Sequence, residues 1–415
     1  MKNIILLIIL YVGFIADYVV NKLLTGNLDL DGLGDFNVAV SIATFFSVLF
    51  ILGGDSGLNW FIPKYLENRE WEKIKGYIVY YLKLTLIICL CAGIISLAAD
   101  FFLRYYHLEK LLHESYFAMI LTPALSVLTI LGALLLAMHR QYLSSLTTEL
   151  LKPLLFLAAI FTWLSVNKTI NEYKAIALLL SSVLLTVMVQ AWLSLRSVPF
   201  DFFSQKLQLC IAEWRKACIP MLMTDMSNNF ISVLEIWSLE LLHPDEKSVG
   251  VFSLLVFISS IIWVNFTVVY YYISSRIATI ENDRPALQKY YTSSAFRLLL
   301  INIVTATMLM LNARSILAWF HPDMIAYSNW LNFILVGTSI NALLRLASPF
   351  LRLTGYAREA SDISARTLVI SIVGTPAIIA VFGIEGAMVS LVGIHFIRGL
   401  WYSVSLKTSQ GISLV

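Results

Sequence analysis

Long apolar segments separated by short polar connections dominate the chain. The stretch from residue 34 to residue 77 shows the arrangement: a polar turn leads into a mostly apolar run, and Pro63 precedes a loop rich in Lys and Glu. About 20 apolar residues span the hydrocarbon core of a bilayer as an α-helix. The same order of apolar run and charged loop returns from Gly250. The pattern therefore predicts a membrane protein built from repeated spans.

Hydropathy along the whole chain predicts about twelve membrane-spanning helices. The connections are short, and lipid-exposed backbone can adopt only helices or closed barrels. The runs are too long for barrel strands and lack sustained alternation, so we expect an all-α integral membrane protein. The predicted spans are residues 3–23, 36–62, 77–99, 116–138, 149–166, 174–195, 217–240, 249–275, 293–313, 325–348, 365–383 and 386–405.

The pattern of the first half returns in the second half. Gly34 corresponds to Gly250, and Glu67 corresponds to Glu281. Because each half would contain six spans, an even number, both halves enter the membrane from the same side, as parallel repeats related by an axis along the membrane normal. The sequence thus predicts two parallel six-helix lobes around a central cavity.

The lobes are expected at residues 1–195 and 217–415, joined by a cytoplasmic linker at 196–216. Phe and Leu residues lie among charged residues in this linker. Such a mixture is typical of an amphipathic helix that lies at the membrane surface.

Composition and charge support this interpretation. The chain has 415 residues, of which 59% are hydrophobic and 13% charged, whereas soluble proteins carry roughly 25% charged residues. The net charge of +3 is too small to indicate a nucleic-acid partner. With the N-terminus placed inside, 18 of the 29 Lys and Arg residues fall in inner segments and 7 in outer ones. Both termini are therefore predicted to be cytoplasmic. The cysteines and histidines show no metal-ligand spacing, and we expect no metal or cofactor.

Acidic residues inside predicted spans are candidate functional residues, because an ionised group costs about 2.5–3.5 kcal/mol at the bilayer centre. Asp17 and Glu235 occupy corresponding positions in the two halves, each six residues before a Leu-Leu pair. We expect both to face the central cavity and to couple transport to protons or cations. The alternative is that both reach water at the outer interface. Since Asp17 interrupts the N-terminal apolar run and no cleavage site follows, we predict a first span rather than a signal peptide.

The seventh predicted span is unusually polar. Asp225 and Asn229 are four residues apart and share a helix face, and Asn228 lies beside them. We expect this helix to line a transport path, with Asp225 as a further ion-coupling candidate. Asp55 is another, in a Gly-Gly-Asp-Ser-Gly segment that matches the nucleophile segment of trypsin-like proteases but lies inside an apolar helix. Those glycines indicate either a helix irregularity or close helix packing.

Basic residues give a complementary set of candidates. Lys152 and Arg366 are at corresponding positions in the two halves, Arg345 lies within the tenth span, and Arg276 ends the eighth. Because Arg binds phosphate through two parallel hydrogen bonds, these residues would favour an anionic head group. The alternative is anchoring at the membrane surface, with the charged end reaching water. We assign Arg398 to this alternative.

The order of these features resembles the multidrug/oligosaccharidyl-lipid/polysaccharide exporter (MOP) superfamily, and within it the polysaccharide-unit (O-antigen) flippases are most similar. The resemblance is carried by Leu23-Leu24 before Gly34-x-Phe36, Phe61-Ile62-Pro63-Lys64-Tyr65 before the charged loop, and Leu241-Leu242-His243-Pro244 before Gly250-x-Phe252. It implies two lobes around a cavity that opens alternately to each side of the bacterial inner membrane. It also implies an undecaprenyl-pyrophosphate-linked oligosaccharide as the substrate, moved from the cytoplasmic to the periplasmic leaflet.

One position departs from the family pattern. Trp60 stands where related proteins often carry Arg. If that Arg contacts phosphate in the relatives, Trp60 would stack on sugar or lie at the interface. The phosphate contact would then pass to Arg345 or another base.

The sequence therefore predicts a flippase rather than an enzyme, driven by an ion gradient or the membrane potential, since the chain contains no nucleotide-binding motif. Two alternatives remain: an organic-cation antiporter with the same fold, and a membrane-embedded polymerase or transferase for lipid-linked sugars. The basic residues disfavour the first, and the short outer loops disfavour the second. Other membrane proteins of polysaccharide assembly are candidate partners.

Overall fold

The computed structural model describes residues 2–105, 118–167, 169–198, 202, 204–243, 246–277 and 283–413. These residues form fifteen α-helices, joined in places by π- or 3-10-helical turns, and no β-strand occurs in these ranges. The prediction of an all-α membrane protein is confirmed.

The α-helices follow one another along the chain with short connections. They are α1 (Lys2–Ile51), α2 (Gly54–Glu67), α3 (Trp71–Tyr105), α4 (Ala118–Ala137), α5 (Gln141–Ser145), α6 (Lys152–Val166), α7 (Glu172–Leu195), α8 (Ile211–Leu242), α9 (Glu246–Ser259), α10 (Ile261–Ile277), α11 (Arg284–Leu311), α12 (Ala313–Phe320), α13 (Ser328–Arg345), α14 (Ala347–Leu353) and α15 (Ala357–Gln410). A π-helical turn (Leu146–Leu151) joins α5 to α6, and a 3-10 segment (Pro322–Tyr327) joins α12 to α13.

The helices of the described residues are sufficient for twelve membrane crossings. Nine helical stretches of the described chain are long and apolar enough to cross a bilayer. Two of them, α1 and α15, each contain two spans, because their helical backbone is interrupted at Asp29 and at Gly383. α8 is not among the nine, since its Asp, Glu and Asn residues lower its hydropathy, but its 32 residues exceed the length that a crossing requires. This total agrees with the sequence prediction.

Contacts between Cα atoms divide the chain into two compact units. The C-terminal unit comprises Met1–Phe14, Asp29–Gly34 and Leu234–Val415, and the N-terminal unit comprises Ile15–Leu28 and Asp35–Val233. The division thus runs through α1 and α8, whereas the sequence placed a single boundary in the linker. The physical reason at α8 is that its first half packs against α2 and α3.

The linker differs from the sequence prediction. Its described residues 196–198, 202 and 204–210 form no α-helix, whereas its last residues, 211–216, are the first turns of α8. Instead, the backbone N–H of Gln208 donates to the carbonyl oxygen of Glu72 at the start of α3. Gly76 permits this approach, because a Cβ atom there would lie 2.0 Å from the Gln208 carbonyl oxygen. This hydrogen bond holds Gln208 of the linker against the start of α3.

Aromatic side chains fix the first half of α8 within the N-terminal unit. Trp214 is fully buried, and its Nε1 donates to the hydroxyl of Tyr65 on α2 at 3.0 Å. Its ring lies 5.0 Å from the ring of Tyr77 on α3, edge to face. Buried aromatic pairs in this geometry add about 0.5–1.5 kcal/mol beyond their area burial. The contacts hold α2, α3 and α8 together in one core.

Candidate functional site

A cluster of ionisable side chains lies inside the C-terminal unit, and we call it the C-terminal cluster. It consists of Glu235 on α8, Trp263 on α10, Arg345 at the end of α13, and His395 and Arg398 on α15. Glu235 is 1% exposed and Arg398 is 2% exposed, and the two opposite charges interact electrostatically. The sequence predicted Glu235 and Arg345 as functional residues, and the structure brings both into this cluster.

His395 links the two arginines of the C-terminal cluster. Nη2 of Arg398 lies 2.7 Å from Nδ1 of His395. Because a guanidinium can only donate hydrogen bonds, Nδ1 must accept, so His395 carries no proton on that nitrogen. The His395 ring packs edge-on against Trp263 with 6.1 Å between centroids. The guanidinium carbon of Arg345 lies 5.0 Å from the centroid of the Trp263 ring, within cation–π range.

The charges of the C-terminal cluster do not balance. Arg398 interacts with Glu235, the one carboxylate of the cluster. Arg352 adds a third positive charge that both Arg345 and Arg398 sense. Oε2 of Glu235 is buried and has no hydrogen-bond partner in the described part of the chain. Like charges held close together inside a protein destabilise one another, and both arginines experience such repulsion. An anionic group that approached this cluster would therefore be stabilised.

Arg398 corrects the sequence analysis, which assigned it to membrane anchoring. A snorkelling side chain keeps its charged end in water, whereas this one is buried. The available signal was its spacing from His395. Residues three apart share a helix face, so two polar side chains on one face of an apolar span indicated a buried polar contact.

A network of hydrogen bonds connects α10, the helix that carries Trp263, to α1 and α11. The Tyr11 hydroxyl donates to Oδ1 of Asn265 at 2.5 Å. Nδ2 of Asn265 in turn donates to Oδ1 of Asn302 at 3.0 Å and to the hydroxyl of Thr305 at 3.2 Å. Both asparagines are fully buried. Sequence reasoning missed this network, although asparagines inside apolar spans are a usable signal for it.

The N-terminal unit holds its own carboxylate–base pair. Asp17 is half-buried on α1, and it is attracted by Lys152 and repelled by Glu149. Lys152 is the first residue of α6, directly after the π-helical turn. Such turns occur frequently at functional sites. Asp17 and Glu235, predicted as equivalent positions, thus each lie near a basic residue of their own unit.

Two further acids of the N-terminal unit lie together. Asp55 on α2 and Asp225 on α8 repel each other electrostatically. The hydroxyl of Ser56 donates to Oδ2 of Asp225 at 2.6 Å, and Nδ2 of Asn229 donates to the backbone carbonyl oxygen of Asp225 at 2.9 Å. Oδ1 of Asp55 is buried without a hydrogen-bond partner in the described chain. Asn228 is half-buried on the same helix.

The remaining candidates lie apart from these clusters. Trp60 is 51% exposed, and Nζ of Lys64 lies 4.0 Å from the centroid of its ring. Arg366 is exposed and lines a surface pocket with Asp362, unlike its predicted equivalent Lys152. The side chain of Arg276 lies outside the described residues. Within the described ranges, His, Cys, Asp and Glu form no group of three that could hold a metal ion.

Solved transporter structures share this fold. An inward-facing multidrug resistance MATE family transporter of the MOP superfamily has a TM-score of 0.67 at 14% identity, covering 95% of this chain and 98% of that one. The lipid II flippase MurJ in an inward closed conformation has a TM-score of 0.71 at 16% identity, covering 97% of this chain and 87% of that one.

A third structure is a MOP superfamily transporter from Pyrococcus furiosus, described as having a binding pocket of reverse polarity that suggests a different function. Its TM-score is 0.68 at 14% identity, covering 99% of this chain and 95% of that one. No protein-family model and no curated protein sequence matches the chain. The chain is therefore a multi-pass helical membrane protein with the fold of MOP superfamily transporters, as the sequence resemblance implied.

Proposed function

We propose that this protein is a flippase that moves an undecaprenyl-pyrophosphate-linked oligosaccharide from the cytoplasmic to the periplasmic leaflet of a bacterial inner membrane. The observation that carries this proposal is the excess positive charge of the C-terminal cluster. A pyrophosphate is an anion whose oxygens accept charge-assisted hydrogen bonds from Arg. The Trp263 face offers apolar surface beside those donors. Alternating access needs no covalent chemistry.

One of the comparisons is consistent with a lipid-linked substrate on this fold. One solved protein with the same fold is named a lipid II flippase. Another is described as having reversed pocket polarity and, for that reason, a different function from other members. Pocket charge is thus a reasonable criterion for choosing between substrates within this fold. Other membrane proteins of polysaccharide assembly remain candidate partners.

Depletion of the protein in its native cell tests the proposal directly. We expect undecaprenyl-pyrophosphate-linked oligosaccharide to accumulate on the cytoplasmic face and surface glycan to decrease. Leaflet-specific labelling of the lipid-linked oligosaccharide measures the first effect. Normal distribution of this lipid between the leaflets would contradict the proposal.

An organic-cation antiporter is the second candidate, and one observation favours it. Asp17, Asp55 and Asp225 are carboxylates that lie within the helices of the N-terminal unit. Carboxylates attract cationic substrates, and a solved protein with this fold is a multidrug resistance transporter. Heightened sensitivity of depleted cells to cationic drugs, without accumulation of the lipid-linked oligosaccharide, would support this candidate instead.

Ion coupling is expected to depend on Asp17. The Asp17→Asn variant removes the charge that Lys152 attracts while keeping the side-chain size, so we expect loss of gradient-driven flipping with the folded protein retained. Flipping by reconstituted protein, with and without an imposed proton or sodium gradient, measures this effect. The matched control is Glu67→Gln, because Glu67 is an exposed carboxylate of the same unit and is not among the groups that act on Asp17.

The double variant Asp17→Asn with Glu235→Gln extends this test to both units. Because the two carboxylates are proposed to be equivalent coupling groups, we expect no gradient-dependent flipping to remain. Wild-type, gradient-dependent flipping by the double variant would eliminate the coupling role of both residues. It would leave the substrate assignment standing.

The orientation in the membrane follows from the distribution of Lys and Arg, and we propose that both termini are cytoplasmic. A reporter that is active only in the cytoplasm should therefore be active when fused after Val415. A periplasm-specific reporter at the same position should be inactive. The opposite result would reverse the proposed direction of transport relative to the helices.

A further inference from the structure

A groove in the C-terminal unit forms a site separate from the C-terminal cluster. It lies between the start of α1, the second half of α10 and α11, and it has a volume of about 260 Å³. Its lining is largely aliphatic and aromatic, including Leu7, Val268 and Tyr272. Leu7 and Tyr272 are both more than 40% exposed, so the groove opens at the surface of the helical unit.

Two polar groups interrupt this apolar lining, and they lie on one face of α11. Ser294 is 1% exposed, and its hydroxyl has no hydrogen-bond partner among the described residues. Arg297 is exposed, and its guanidinium carbon lies 5.3 Å from the centroid of the Tyr272 ring. Positions three apart on a helix are about 5–6 Å apart at Cβ. The groove therefore presents a cation at its rim and an unpartnered donor about one helical turn further along.

We propose that this groove binds an anionic phospholipid, with the phosphate at Arg297 and one acyl chain along the apolar lining. The phosphate accepts charge-assisted hydrogen bonds from the guanidinium. The ester carbonyl, a few ångströms further along the lipid, accepts the hydrogen bond that the Ser294 hydroxyl lacks. The described residues that line the groove include no acidic side chain that would repel a negative charge.

Mass action identifies bulk phospholipid as the occupant. A site fills according to the concentration of its ligand relative to the dissociation constant, and phospholipid is the solvent of a membrane protein. Polyprenyl lipids share the phosphate and the hydrocarbon chain, and they are the competing occupant. This inference does not depend on the proposed function, because any transporter with this fold could carry such a site.

Native mass spectrometry of the purified full-length protein, delipidated and then mixed with phosphatidylglycerol, tests the inference. We expect one phosphatidylglycerol to bind more tightly than phosphatidylcholine. Arg297→Gln should weaken this binding by about tenfold or more, because it removes a charge-assisted contact. Leu7→Trp, which fills the groove from its exposed rim, should weaken it independently of charge. The matched control is Arg358→Gln, an exposed arginine of the same unit that does not line the groove.

Each outcome has a defined meaning. Equal lipid binding by Arg297→Gln and Arg358→Gln would overturn the site. Displacement of phosphatidylglycerol by an equimolar amount of undecaprenyl phosphate would assign the groove to the polyprenyl lipid and overturn the phospholipid assignment. Thermal unfolding of Leu7→Trp at the wild-type temperature would show that its loss of lipid binding does not come from unfolding. Ser294→Ala removes only the hydroxyl at the other end of the groove and should weaken phosphatidylglycerol binding less than Arg297→Gln.

Discussion

Replacing Arg398 with Gln is expected to abolish flipping and to destabilise the protein. The substitution leaves Glu235 buried without its nearby opposite charge, and removal of one partner from a buried pair costs about 3–5 kcal/mol. It also removes a guanidinium that we propose binds pyrophosphate, and a hydrogen bond to a charged group contributes about 1.5–3 kcal/mol. Flipping in proteoliposomes and thermal unfolding in detergent measure the two effects separately. The control Arg358→Gln should change neither.

A double variant separates substrate binding from packing. Arg398→Gln combined with Glu235→Gln removes both buried charges, so we expect much of the lost stability to return, since replacing both partners by neutral groups of similar shape is far less costly than removing one. Flipping should stay absent, because the guanidinium is still missing. If the double variant regained flipping along with stability, Arg398 would act only as the counter-charge of Glu235.

Arg345 is the second arginine of the C-terminal cluster, and it could be predicted as a candidate from the sequence. Its place near the end of an apolar span was visible, as was Glu235 in the polar seventh span. Hydropathy windows did not reveal the depth of Arg398, because they report length and composition and do not report which helix face turns inward. The only signal was its spacing of three residues from His395. Burial of that face depends on α8 and α13, which come from distant parts of the chain.

The interruptions of the helical backbone could also be predicted only in part. The sequence offered two interpretations for the glycines before and after Asp55, and the structure confirms both. Gly53 adopts a positive φ of 74° between α1 and α2, and the glycines of this segment contact α3 and α8 closely. The break at Asp29 has no comparable signal, because aspartate only occasionally adopts the left-handed region. The conformation of the linker could not be predicted from its own sequence either, because its backbone bonds to Glu72 at the start of α3.

Substituting the close-packed glycine Gly57 of α2 is expected to destabilise the fold. A Cβ atom at Gly57 would lie 2.1 Å from the hydroxyl oxygen of Tyr77 and 2.3 Å from Sγ of Cys218. Overpacking of this kind costs about 1–3 kcal/mol, so Gly57→Ala should lower thermal stability and the yield of folded protein. The matched control is Gly93→Ala on α3, where a Cβ atom meets nothing within 4 Å. Alanine there should raise stability, by up to about 1 kcal/mol, through helix propensity.

A second substitution should restore stability to the Gly57 variant and not to the Gly53 variant. The added Cβ atom meets side-chain atoms at Gly57 and backbone atoms at Gly53. At Gly57 the obstacles are side-chain atoms, so adding Tyr77→Phe to Gly57→Ala removes the nearest one and should recover part of the stability. At Gly53 the nearest atom is the backbone carbonyl oxygen of Cys218, 2.3 Å from the added Cβ, and no substitution removes it. Its positive φ adds strain for any residue with a Cβ atom. Gly53→Ala should therefore be severe and insensitive to Tyr77→Phe. Equal rescue of both variants would mean that α2 and α8 are not packed as closely as the structure shows.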